Sequence, residues 1–142
     1  MLTAYMLPAL AALTLAGCVT APTPEMVANA NYGARPPATY KQLIQDDVNA
    51  RLIDPTSPLY TFENPMKGYI MVTPKTPHFG WLVCGTVNSK NRMGGYAGKV
   101  PYYGFFREGE LIAVKIGENP TGEYGFSYVN GLVNSACNSR IQ

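Results

Sequence analysis

The stretch from Phe79 to Val87 alternates with a period of two. Phe79, Trp81, Val83, Gly85 and Val87 fall on one face, and Leu82, Cys84 and Thr86 fall on the other. Successive side chains of a strand point to opposite faces, so this pattern predicts a strand at the centre of the fold. Shorter β-prone runs surround it. Leu59 to Phe62 is bounded by Pro58 and Asn64-Pro65, and Gly68 to Thr73 is closed by Pro74 and Pro77. Tyr102 to Arg107 and Glu110 to Ile116 flank Glu108-Gly109, a hairpin signal because glycine takes positive φ without steric cost. A sheet of about four to five strands in antiparallel order follows from this spacing.

Two helices are predicted around the sheet. Thr39 with Gln42 matches a capping box, a hydroxyl at the N-cap and an amide three residues on. Tyr40, Ile44, Val48 and Leu52 then recur every four residues, with Leu43 beside them, which makes one apolar stripe. Asp54-Pro55 is the expected stop, since proline disfavours helical backbone in the residue before it. Near the C-terminus Phe126, Val129, Val133 and Ala136-Cys137 fit a short helix, though Asn130, Gly131 and Asn134 are poor helix formers. Pro120 to Gly125 reads as a loop. The fold class expected is α+β: an N-terminal helix packed on an antiparallel sheet, a short C-terminal helix, and both helices on one face.

At 142 residues there is room for one ordinary domain. A net charge of +2 is too small for the concentrated basic face that nucleic-acid binding needs. One His and three Cys leave little material for a transition-metal site, and no cofactor is expected.

Residues 1–17 carry no charged side chain and end in small residues before Cys18. The apolar part is shorter than the ~20 residues a membrane-crossing helix takes, and it fits the core and cleavage region of a secretory signal. Leu15-Ala16-Gly17-Cys18 resembles the lipobox of bacterial lipoproteins. That resemblance implies lipidation of the Cys18 thiol and cleavage just before it. Val19 in the place of an Asp implies the outer membrane, with the domain facing the periplasm. Two or more acyl chains make such anchoring stable. Residues 18–37 are rich in Pro, Ala, Asn and Thr and read as anchor and flexible linker, with Tyr32 able to dock on the domain. Extended, the linker would reach about 60 Å. The compact domain is expected over residues 38–142.

With Cys18 lipidated, Cys84 and Cys137 remain as an even pair in an exported chain, and a disulfide is the default in an oxidising periplasm. Closing a loop of that length contributes about 3–4 kcal/mol. The alternative is a nucleophilic Cys84 with His78 as its base. Six residues along a strand separate two groups by about 20 Å, so that reading needs a chain reversal near Gly80.

The most distinctive segment runs from Trp81 to Gly98. Its Val83-Cys84-Gly85, Val87-Asn88-Ser89-Lys90-Asn91 and Gly94-Gly95-Tyr96-Ala97-Gly98 resemble a pattern of small uncharacterised bacterial envelope proteins. Leu52-Ile53-Asp54-Pro55-Thr56-Ser57 is similar to an upstream element of the same pattern. Met93 departs from it where an aromatic is commoner, as does Pro58-Leu59 where a small residue usually follows. The resemblance implies a compartment and a fold, and no catalytic residue. The loop expected from Asn88 to Lys99 has two readings. In one, Lys90, Arg92 and Lys99 surround mobile backbone N–H groups, with Asn88, Asn91 and Tyr96 as walls, and the loop holds an anion or glycan. In the other, Asn and Gly supply positive φ to a wide connection. It is not a P-loop, because Gly-x4-Gly-Lys-[Ser/Thr] is missing.

Other candidates are weaker. Asp46 and Asp47 are adjacent on a helix and so face about 100° apart. Glu108, Glu110, Glu118 and Glu123 fall in turns, where solvation suffices. The aromatics from Tyr102 to Tyr128 alternate between faces; most read as core, with an exposed tyrosine surface as the alternative. No set of nucleophile, base and orienting group is visible. The expectation is a non-catalytic lipoprotein serving a cell-envelope assembly, with an envelope protein or cell-wall component as partner. The alternative is an inhibitor or ligand-binding module, for a hydrolase or a glycan, that uses the 88–99 loop.

Overall fold

A computed structural model describes residues 20–119 and 127–141. The signal segment, Cys18, the Pro120–Gly125 loop and Phe126 lie outside the described residues. In chain order the elements are α1 (Pro24–Asn29), α2 (Tyr40–Asn49), β1 (Leu59–Tyr60), β2 (Met66–Thr73), β3 (Thr76–Lys90), β4 (Tyr96–Arg107), β5 (Glu110–Ile116) and α3 (Tyr128–Asn138). The fold is α+β.

The strands form one curled antiparallel sheet with β3 at its centre. β4 pairs along one side of β3, and β5 pairs with β4. Along the other side of β3, β2 covers its first half and β1 its end. The β4–β5 connection is a two-residue turn with both φ angles positive, 50° at Glu108 and 79° at Gly109. That backbone twist matches the right-handed twist of the flanking strands. β1 is shorter than its apolar run, yet its ladder continues irregularly: Thr61 N–H donates to Thr86 O and Glu63 N–H to Cys84 O.

The alternation along β3 sorts the core. Val83 and Val87 join Tyr102, Phe106 and Val114 on one face, where Ile44 and Val48 of α2 pack. Leu82 and Cys84 join Phe105 on the other, against Ala136 and Cys137 at the end of α3. The helices therefore cover opposite faces, not one. Leu82, Val83 and Cys84 are consecutive and all buried, and a sheet apolar on both faces needs a cover on each.

Helix α2 begins after Thr39, but its capping box does not form. Thr39 makes no side-chain cap bond, and Gln42 donates to Asp46 instead. The helix also ends at Asn49, five residues ahead of Asp54-Pro55, and Leu52 packs against the core from beyond it. Helix α3 is capped at its N-terminus by Ser127. Ser127 Oγ accepts from Asn130 N–H. Asn130, a poor helix former, accepts from Glu118 N–H and donates to Glu118 O, tying α3 to the end of β5. The tail beyond α3 runs beside β2: Ser139 Oγ bonds both Tyr69 N–H and Tyr69 O, and Ile141 N–H donates to Lys67 O.

The linker expectation needs correction for residues 20–37. Thr23 Oγ1 accepts from Met26 N–H and caps α1. Tyr32 is buried, edge-on to the Phe79 ring at 5.7 Å between centroids, with its hydroxyl donating to Val27 O. Trp81 Nε1 donates to Gly33 O, and the Arg35 guanidinium lies 5.4 Å from the Trp81 ring centre. Composition hid this because the anchors are few. One tyrosine and a handful of backbone groups hold an otherwise polar strap.

Candidate functional site

The residues singled out between Asn88 and Lys99 do not form a wide loop. β3 runs to Lys90 and β4 starts at Tyr96, so only residues 91–95 turn. Asn91 organises that turn. Its Oδ1 accepts from Met93 N–H at 3.0 Å and from Gly95 N–H at 3.1 Å, while its own N–H donates to Gly95 O. Asn88 does similar work at the bulge between Asn88 and Lys90, where its Oδ1 accepts from Gly98 N–H at 3.0 Å. Gly94 and Gly98 take φ of 80° and 111°, which side chains other than glycine's rarely adopt. Three amide groups of the expected anion cradle, those of Met93, Gly95 and Gly98, are thus taken by two asparagine side chains. Asn88 and Asn91 are positioning residues of the hairpin.

Lys90, Arg92 and Tyr96 remain as contact groups. Lys90 Nζ sits 5.5 Å from the centre of the Tyr96 ring, and Tyr96 hydroxyl donates to Ser57 O at 3.1 Å. Ser57 belongs to the upstream Leu52–Ser57 element, so the two motifs that share the resemblance meet at one end of the sheet. Within that element Asp54 accepts from Thr56 N–H and Thr56 Oγ1, and from Ser57 Oγ at 3.4 Å. Those bonds, the Thr56 side chain's first, hold the Asp54 carboxyl below its usual range, and the Lys90 charge acts in the same direction. Asp54 escaped the sequence reading as a site residue because it reads there as a helix stop. The influence of Lys90, 36 positions away, becomes visible only in three dimensions.

The hairpin end is exposed. Arg92 is exposed at the turn, Met93 is 95% exposed and Tyr96 is 46% exposed. A guanidinium, a thioether and a phenol face solvent together there, a mixture common at protein interfaces.

Cys84 and Cys137 are joined, with an S–S distance of 2.05 Å across 53 residues. The bond links the central strand to the last turn of α3. This arrangement leaves no free thiol on Cys84 for a nucleophilic role, and His78 stands on the same strand, paired with Ile70 of β2. Among the described residues no group of His, Cys, Asp and Glu could hold a metal ion, and no helix is long and apolar enough to cross a membrane. Set against known protein families, curated proteins and solved structures, the chain finds no match in any of the three.

Proposed function

We propose that the protein is a lipid-anchored lipoprotein of the bacterial outer membrane, its domain facing the periplasm, and that it serves a cell-envelope assembly without catalysing a reaction. The observation that carries this reading is Leu15-Ala16-Gly17-Cys18 placed just ahead of a domain whose other two cysteines pair. A disulfide between strand and helix suits an oxidising compartment. The partner proposed is another envelope protein or a cell-wall component. The direct test is labelled palmitate. Incorporation into the natural chain and its loss in Cys18→Ser supports the reading. Equal processing and location of the two chains overturns it.

The hairpin end favours a second reading, a binding module that blocks a hydrolase or captures a glycan. Arg92 and Tyr96 are exposed there, and half-buried Lys90 lies over the Tyr96 ring, beside a turn held by Asn91. Replacing Lys90 and Arg92 together by Ala is expected to leave the unfolding free energy within about 0.5 kcal/mol of the natural chain's, as for surface sites generally. Binding to a glycan array or to immobilised envelope hydrolases would fall. A lost midpoint with unchanged binding refutes this second reading.

A further inference from the structure

An open groove of about 380 Å³ lies between β2 and α3, away from the hairpin end. Ile70, Val72 and Pro74 form one wall, Leu132 and Tyr128 the other, and Tyr103 lies at the floor. Lys115 is the only charged residue lining it among the described residues. Three of these side chains are exposed although apolar: Val72 at 54%, Leu132 at 39% and Tyr128 at 69%. Apolar surface gathered into a concavity is a costlier exposure than scattered single residues, and it marks a place where something apolar binds.

The path of the chain indicates what that is. Thr20 N–H donates to Pro74 O at 3.0 Å, so the described chain starts at the rim of the groove. Cys18 is two residues earlier, and two residues span at most about 7 Å. The covalent chain therefore keeps any group on the Cys18 thiol within reach of Thr20, whose partner Pro74 lines the groove. We infer that the groove takes one acyl chain of the lipid carried by Cys18, holding part of the anchor against the protein. This rests on the lipoprotein reading above. The match is one of chemistry: an acyl chain needs apolar surface, which Ile70, Val72, Pro74 and Leu132 supply, while Thr73, Ser135 and Lys115 make the rest of the lining polar. Held in this way, the chain would set the domain close to its membrane with the β2–β3 turn nearest the lipid.

The test uses the full chain in cells fed a fatty acid with a terminal diazirine. Incorporation at Cys18 is measured first, by mass spectrometry of the processed N-terminus. Membranes are then irradiated and the protein is digested. The expected result is a crosslink from the lipid of Cys18 to residues 69–74 or 128–136 of the same chain. It should fall at least tenfold in Leu132→Glu and in Val72→Glu, two variants at exposed positions whose folding circular dichroism checks. Crosslinks confined to membrane lipid or to a second protein, with incorporation intact, overturn the inference and leave the lipoprotein reading standing. Absence of incorporation overturns both.

Discussion

Single residues set what the core tolerates. Above Gly85 the carbonyl of Thr61 fills the space, held by the Tyr102 hydroxyl at 2.7 Å. A Cβ at Gly85 would lie 2.0 Å from that oxygen. Gly85→Ala is therefore expected to cost about 1–3 kcal/mol, the usual range for overpacking, read as a lower denaturant midpoint at unchanged slope. Tyrosines give the protein an alkaline limit. Tyr60 donates to Asn49 Oδ1, and burial pushes its phenol up from 10.0 to about 12. Burial raises Tyr102, Tyr103 and Tyr32 as well. The folded state keeps these protons where the unfolded chain has lost them. The stability contributed by Tyr60 is full below pH 10 and falls as pH rises through about 12. Thermal midpoints should decline across that window, and Tyr60→Phe should make the decline shallower. At this scale the sequence announces aromatic residues but not their burial, since burial depends on which neighbours arrive from elsewhere in the chain.

Elements show where local signals win and where they lose. The strong period of β3 and the Glu108-Gly109 turn were legible because both are local: alternation and positive φ are properties of a few adjacent residues. The Asn88–Lys99 segment misled for the opposite reason. Asn and Gly mark turns, yet here side-chain oxygens of Asn88 and Asn91 let the strands continue almost to the tip. Helix α3 has weak propensity, with Gly131 and three asparagines among its eleven residues. Its place depends on the Cys84–Cys137 bond and on Val133 and Ala136, which are buried. Chain entropy assigns about 4 kcal/mol to closing a loop of this size. Cys84→Ser with Cys137→Ser is expected to lose about that much stability, and hydrogen exchange should speed up first in α3. Exchange that rises evenly over the sheet and helices would count against a local role for the bond.

At the scale of the whole molecule the strap of residues 20–37 changes the picture most. It crosses the β2–β3 half of the sheet, and its single deep anchor is Tyr32, 8% exposed between Phe79 and the Lys67 ammonium. Trp81, the one tryptophan of the chain, reports on it through the Gly33 bond and the Arg35 contact. Tyr32→Ala should lower stability by about 3–5 kcal/mol, as large aromatic truncations do, and shift the Trp81 emission to the red. An unchanged emission spectrum would mean that the strap docks without its tyrosine. Strand alternation, the two-residue turn and the apolar stripe of α2 were readable from the chain, because each rests on spacing between neighbours, while the Cys84–Cys137 pair was expected only after Cys18 was assigned to a lipid by its resemblance to a lipobox. Which face each helix covers, how the Leu52–Ser57 element meets the hairpin, and where the polar strap lies were settled only by folding. Those depend on contacts between distant residues, and such contacts leave no periodic mark in the order of the amino acids.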